Sequence, residues 1–298
     1  MFKKISAIKK KLKWIDPFTY VDMFIIPRVH ALPSVLQWAS FALSFVVLVA
    51  LISFVLGATP IFFVVIAAFY AYLLFFEREE AVDWGIYLLS AFVFAWAIYS
   101  ILGIALGTHA PMVIVVSGSM EPLYYRGDVI LLQGTNFDQL TGQEVTLNQP
   151  LAESPLESFA EPHYTSGSNG VQVSTVTFNN DSTIPITKEG SIIVYYSPLL
   201  QQPIIHRVVT KIDALDGQYV LTKGDSIYNN TLDQDCGTVR YNVPEKSCIT
   251  LYPVKTEEIQ GKAFFKVPIV GCVKLWLFDN IGSLIATGKL PHTFRRVC

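Results

Sequence analysis

Val113–Val129 reads V-I-V-V-S-G-S-M-E-P-L-Y-Y-R-G-D-V. A strand-like apolar run, Val113 to Val116, stops at the polar turn Ser117-Gly118-Ser119. Pro122 biases Glu121 away from helical geometry. The turn Arg126-Gly127-Asp128 then leads into a second apolar run, Val129 to Leu132. Short apolar runs separated by tight turns predict a sheet here. Ser119 is expected at the end of a strand, beside a glycine that allows another backbone to approach closely. That setting suits a nucleophilic hydroxyl and its oxyanion donors. Ser-Gly-Ser alone is also ordinary turn composition, so its meaning depends on the rest of the chain.

Working outward, the 298 residues are 52% hydrophobic and only 15% charged, and mean hydropathy is +0.42. Soluble domains carry about a quarter charged residues, so this composition predicts a membrane protein. A net charge of −2 argues against a broad nucleic-acid role. No internal repeat or low-complexity tract is present. The four cysteines, Cys236, Cys248, Cys272 and Cys298, show no C-x-x-C spacing, which argues against zinc. Cys236 and Cys248 are a candidate disulfide pair if the last quarter lies outside the membrane.

Upstream of the serine stretch, Lys3, Lys4, Lys9, Lys10, Lys11 and Lys13 alternate with Phe2, Ile5, Ile8, Leu12 and Trp14. No compact apolar core and cleavage site follow, so this reads as a basic amphipathic segment on the inner leaflet and not as a leader. Asp16 to Pro33, with three prolines, is expected to be an irregular connector. Leu36–Leu56, Ile61–Phe76 and Trp84–Leu106 are successive apolar runs; the second reaches spanning length with Gly57–Pro60 included. The expectation is three transmembrane helices across 36–107, after a cytosolic basic or interfacial segment at 1–35. The N-terminal lysines place that end in the cytosol. The third helix therefore exits, and Ser119 lies outside.

Downstream, 108–298 is predicted to be a mainly-β extracytoplasmic catalytic domain. Its strand candidates are Val129–Leu132, Val171–Phe178, Ser191–Tyr196, Ile204–Ile212 and Tyr219–Thr222, separated by Gly, Pro, Asn and Asp. Pro150 to Ser168 reads as a loop or insertion. Asn180-Asp181-Ser182 and Asn229-Asn230-Thr231 are glycosylation sequons. Ala263 to Thr287 is apolar but broken by Lys266, Pro268, Lys274, Asp279 and Asn280. It is a poor fourth span, and its candidates are a membrane-surface segment at about 263–287 or a core strand.

A serine hydroxyl needs a base within hydrogen-bond reach. Of the five histidines, His30 precedes the first helix, His292 is near the end, and His109 and His163 sit in loop-like sequence. His206 stands in Q-Q-P-I-I-H-R-V-V, where a strand would hold it rigidly.

With S-G-S-M-E-P at Ser117–Pro122, I-I-H-R-V-V around His206 and L-T-K-G-D at Leu221–Asp225, the chain resembles the type I signal peptidases of the archaeal and endoplasmic-reticulum branch. That branch uses histidine where the bacterial branch uses lysine. The likeness covers about Pro111 to Gly271, including a weaker terminal box at Val267–Gly271. It implies a signal-peptidase-like fold, cleavage of N-terminal signal peptides by acyl transfer, and no cofactor or metal. Ser119 would be the nucleophile and His206 the general base; the Ser119 N–H with the Ser117 hydroxyl would form the oxyanion hole. Implied partners are secretory preproteins with small residues before the cut, the lipid bilayer and the protein-export channel.

The acidic partner is the least determined residue. Asp225 matches the box directly, while Asp233 or Asp235 takes the second acidic position depending on where the gap falls. The reading adopted is Asp233 orienting His206, Asp225 supporting the site from the loop start, and Asp235 solvated. Two departures from the resemblance stand out. Residues 147–189 look longer than in compact members, and two extra helices precede Trp84, which favours a prokaryotic protein. The alternatives are a narrow-specificity peptidase of the same fold, acting on pilin-like or other surface precursors, and a non-catalytic membrane scaffold.

Overall fold

A computed structural model describes residues 16–56, 60–76, 80–167, 170–236, 248–272, 274–276 and 280. The chain divides into two compact units, Met1–Ile101 and Leu102–Cys298.

In the first unit the apolar runs form helices: Ser34–Leu56, Pro60–Phe76 and the start of Ala81–Leu106. A helix satisfies its backbone groups internally, which an apolar surrounding requires. Close approach is set at Gly85, where a Cβ would lie 2.8 Å from Ser44 Oγ and 2.9 Å from the Phe41 ring. Ser44 Oγ in turn bonds Tyr70 OH at 3.0 Å. Among the described residues one helix, Ala81–Leu106, is long and apolar enough to cross a membrane.

The expected irregular connector is helical instead: Pro17–Tyr20, a π turn at Val21–Ile25, then Ile26–His30. Its prolines do not prevent this, because Pro17 and Pro27 occupy first turns, where no intrahelical N–H is needed. The lysine-rich residues 1–15, the breaks at 57–59 and 77–79, and residues 281–298 lie outside the described residues.

The second unit is mainly β. Its principal sheet contains β1 (Met112–Ile114), β2 (Val129–Gln133), β3 (Gln143–Leu147), β7 (Ile192–Ser197), β8 (Gln202–Ala214), β9 (Gly217–Lys223), β10 (Val254–Lys255) and β11 (Ile259–Val267). The order is β1-β2-β11-β7-β8-β9-β10, with β3 running parallel to β8. Period-two alternation sorts β7 onto two cores. Ile193 and Tyr195 join Val208 and Val220 on one face, and Val194 joins Ile130 and Leu132 on the other. β11 accounts for the first part of the ambiguous 263–287 segment as a strand. The chain then turns, and Gly271 packs so closely on the β1–β2 turn that a Cβ would lie 2.6 Å from Ile114 Cγ2.

The insertion is folded, not a loop. β4 (Ala160–Gly167), β5 (Gly170–Phe178) and β6 (Thr183–Pro185) make a second antiparallel sheet, which also places His163 in a strand. The polar composition that suggested a loop comes from the outward positions Glu161, His163 and Thr165. Between them Ala160 and Tyr164 turn toward a core with Leu151, Phe159, Val176, Phe178 and Leu232. Cys236 and Cys248 form a disulfide.

Candidate active site

The serine loop extends the β1–β2 ladder by one step. Val115 N donates to Asp128 O at 2.9 Å, and Gly127 N donates to Val115 O at 2.8 Å. The chain then leaves the sheet, so Ser119 sits on a turn a few residues past the strand and not at its end. Glu121 N reaches back to Gly118 O at 3.1 Å and Tyr124 N to Met120 O at 3.0 Å. Met120 is fully buried and anchors the turn, leaving Ser119 partly exposed. Ser117 Oγ lies 3.4 Å from Ser119 Oγ.

The loop leaving β9 holds the serine turn from the other side. Ser226 N donates to Ser119 O at 2.9 Å, and Gly224 packs beneath. A Cβ on Gly224 would lie 2.7 Å from both Ser119 O and Asn229 Nδ2. Gly224→Ala is therefore expected to displace the serine turn, destabilising the fold by about 1–3 kcal/mol and lowering activity. Thermal unfolding and a cleavage assay would check both effects.

His206 pairs with Ile193 in the centre of the sheet, and its neighbour Arg207 pairs with Lys223, the last residue of β9. His206 thus stands one position beyond the end of β9, where the departing loop can return to meet it. That return is fixed by the backbone. Asp233 N bonds Thr222 O at 2.9 Å, and Asp233 O accepts from Ile249 N at 3.0 Å and Thr250 N at 3.1 Å.

The Asp233 carboxylate then meets His206 Nδ1 at 2.6 Å, with both side chains almost wholly buried. Tyr195 OH donates to the same oxygen at 2.9 Å. Burial alone would push the Asp233 carboxyl up, but the His206 ring beside it and these hydrogen bonds hold it below the usual carboxylate range. Burial, reinforced by the Asp233 charge, keeps the Tyr195 phenol well above its ordinary value, so it stays a donor. An ionised carboxylate only accepts, so the Nδ1 atom carries the proton and Nε2 is left as the basic nitrogen.

Asp225 is held elsewhere. Arg207 Nε and Nη2 bond its two oxygens at 2.8 and 2.6 Å, and Arg207 Nη1 bonds Gly190 O at 2.7 Å. This bidentate pair ties the start of the loop to the strand that carries His206. Asp225→Ala would strand Arg207, which is nearly buried, and is expected to destabilise the protein by about 3–5 kcal/mol. Adding Arg207→Met should recover part of that in chemical denaturation.

Asp235 corrects an expectation. It is only 3% exposed, not solvated, because Tyr164 of β4 covers it and donates its hydroxyl to Asp235 Oδ2.

Ser117, Ser119 and His206 line one cleft, together with Asn229 and the apolar side chains of Val113, Ile114, Val116 and Ile204. Asn229 belongs to a sequon yet faces this cleft, whereas Asn180 is exposed and donates to Thr146 O at 3.0 Å. Sequence reasoning missed Tyr195 and the pairing of Arg207. Arg207 was visible within I-I-H-R-V-V, but nothing local marks Tyr195.

No protein-family model matches the chain. Curated relatives do. The chain is 25% identical over 195 residues to the signal peptidase complex catalytic subunit SEC11 of Lachancea thermotolerans, covering 65% of this chain and 79% of that protein. It is 28% identical over 197 residues to the same subunit of Scheffersomyces stipitis, covering 65% and 83%. For Clavispora lusitaniae the figures are 29% over 188 residues, covering 63% and 69%.

Proposed function

We infer that this relative of the endoplasmic-reticulum-branch signal peptidases is a membrane-anchored serine endopeptidase that removes signal peptides from secretory precursors. The observation that carries this reading is a partly exposed serine sharing a cleft with a buried, carboxylate-bound histidine.

The chemistry is acyl transfer. Ser119 Oγ attacks the scissile carbonyl as His206 Nε2 takes its proton. The Ser119 N–H and the Ser117 hydroxyl hold the oxyanion. His206 returns the proton to the leaving amine, and water then hydrolyses the acyl-enzyme with His206 again as base. Asp233 fixes the ring and balances the imidazolium. Among the described residues β1 pairs only with β2, so its outer edge can take an extended peptide as an added strand. Branched aliphatic side chains from Val113, Ile114 and Ile204 line the cleft and favour small substrate side chains.

The helix Ala81–Leu106 precedes β1 closely and supplies an anchor. In this reading the apolar helices Ser34–Leu56 and Pro60–Phe76 also cross, the lysine-rich end stays in the cytosol, and the β domain lies outside beside the export channel. Protease added to intact cells is then expected to digest 113–298 while sparing the N-terminal lysines. Protection of the β domain would reverse the orientation.

The deciding experiment incubates the purified protein in detergent with a secretory precursor and sequences the new N-terminus. One cut after a small residue supports the reading. Cleavage of pilin-like precursors alone would indicate the narrow-specificity peptidase, and no cleavage would indicate a scaffold.

A further inference from the structure

The inserted sheet touches the loop that carries Asp233 at three places. Tyr164 of β4 donates to Asp235, two residues beyond Asp233. Gln172 of β5 donates through Nε2 to Ile227 O at 2.6 Å and to Asn230 Oδ1 at 2.7 Å. Val173 N donates to Asn230 O at 2.8 Å.

These contacts follow from how the hairpin is built. β6 pairs with β5 only over Thr175–Thr177, which leaves the edge of β5 open beyond that point. The turn 227–230 takes up that edge, satisfying the Val173 N–H that would otherwise lack a partner. The β4–β5 register also shifts between His163 and Tyr164, with Ser174 as the extra residue. Such a bulge changes which face the following side chains take. Val173 points into the core before it, and Val176 and Phe178 do so after it. Leu232, fully buried, is drawn into the same core next to Asp233.

We propose that the inserted β4–β5 hairpin is a positioning element for catalysis: through Tyr164, Gln172 and Val173 it clamps the 225–235 loop and so sets the Asp233 carboxylate against His206. The proposal rests on the peptidase reading above. It assigns the insertion a role in the rate of the chemical step, not in substrate affinity. Among the described residues Asp233 is otherwise held by its backbone bonds to Thr222, Ile249 and Thr250 and by Tyr195 OH on its carboxylate, so freeing the 227–230 turn and Asp235 loosens both sides of its approach to the ring.

The test uses the full chain in detergent with three single variants and the Tyr164→Phe/Gln172→Ala double variant. Tyr164→Phe keeps the ring in the core but removes the donor. Gln172→Ala removes the turn clamp. His163→Ala removes the His163–Thr177 bond on the outer side of the same hairpin and touches no part of the loop. The readouts are kcat and KM for precursor cleavage, the rate at which a fluorophosphonate labels Ser119, and the unfolding midpoint.

The Tyr164→Phe/Gln172→Ala pair is expected to lower kcat between about tenfold and a hundredfold. KM should stay within about twofold, labelling should slow in parallel, and His163→Ala should match the parent. If the double variant unfolds, the same pattern in Gln172→Ala alone supports the proposal. Unchanged kcat and labelling would overturn it. So would a loss that His163→Ala shares, or one that only follows a lowered midpoint. A parent protein that neither cleaves nor labels would instead defeat the peptidase reading itself.

Discussion

Ser119→Ala is expected to abolish precursor cleavage, with a fall of about 10⁶ in kcat if the serine and histidine act as a unit. The fold should survive. Ser119 Oγ has the Ser117 hydroxyl as its neighbour at 3.4 Å, while the turn is held by the Ser119 carbonyl and the buried Met120 side chain. An unchanged unfolding midpoint beside absent product would therefore separate chemistry from folding. Ser117→Ala belongs in the same experiment. As an oxyanion donor it should cost about 10²–10³ in kcat, leaving activity that a sensitive assay still detects. Comparable activity in Ser119→Ala and the parent would remove Ser119 as the nucleophile.

The second large effect is at Asp233. Asp233→Asn replaces an acceptor with a group that can donate toward His206, which favours the wrong tautomer, and the expected loss is about 10⁴ in turnover. Asp235→Asn should act more mildly, because its contact is with Tyr164 and not with the imidazole. Asp233 also makes stability depend on pH. Its folded carboxyl is held low, so its contribution is complete above the unfolded value of about 3.9 and is lost as the pH falls through the lower folded one. Denaturation of the parent and Asp233→Asn from pH 7 down to pH 2 should show that difference closing. A silent Asp233→Asn beside an inactive Asp235→Asn would give the orienting role to Asp235.

What the sequence carried and what it hid have physical reasons. The helical runs were legible because no charged residue interrupts Leu36–Leu56, Ile61–Phe76 or Trp84–Leu106. β7, β8 and β9 were legible because turn residues bracket their β-branched cores. Ser119 and His206 stood out because each lies within a motif whose neighbours are specific. The acid was harder to choose because Asp233 and Asp235 are two positions apart in one loop, and long-range bonds, among them those to Thr222, Ile249 and Thr250, turn the Asp233 carboxylate toward the ring. The burial of Asp235 depends on Tyr164, 71 residues away, and no local pattern announces such a contact. β4 was hidden by its outward polar residues. The helical stretch Pro17–His30 was hidden because Pro17 and Pro27 were read as breaks when they in fact occupy first turns.

The placement of β11 has a consequence for when this protein becomes active. Among the described residues of the principal sheet, the ladder from β1 and β2 to β7 and β8 runs through β11, so the strand nearest Ser119 and the strand holding His206 are joined by a late segment of the chain. During vectorial synthesis Ser119 and His206 both emerge before the strand that connects their half-sheets. At the usual elongation rate Val267 follows His206 by roughly 3–12 s, and the ladder between the two half-sheets is missing for that interval. A nascent chain stalled before Ile259 would thus carry Ser119 and His206 without the strand that joins their half-sheets, and it is expected to be inert in a cleavage assay.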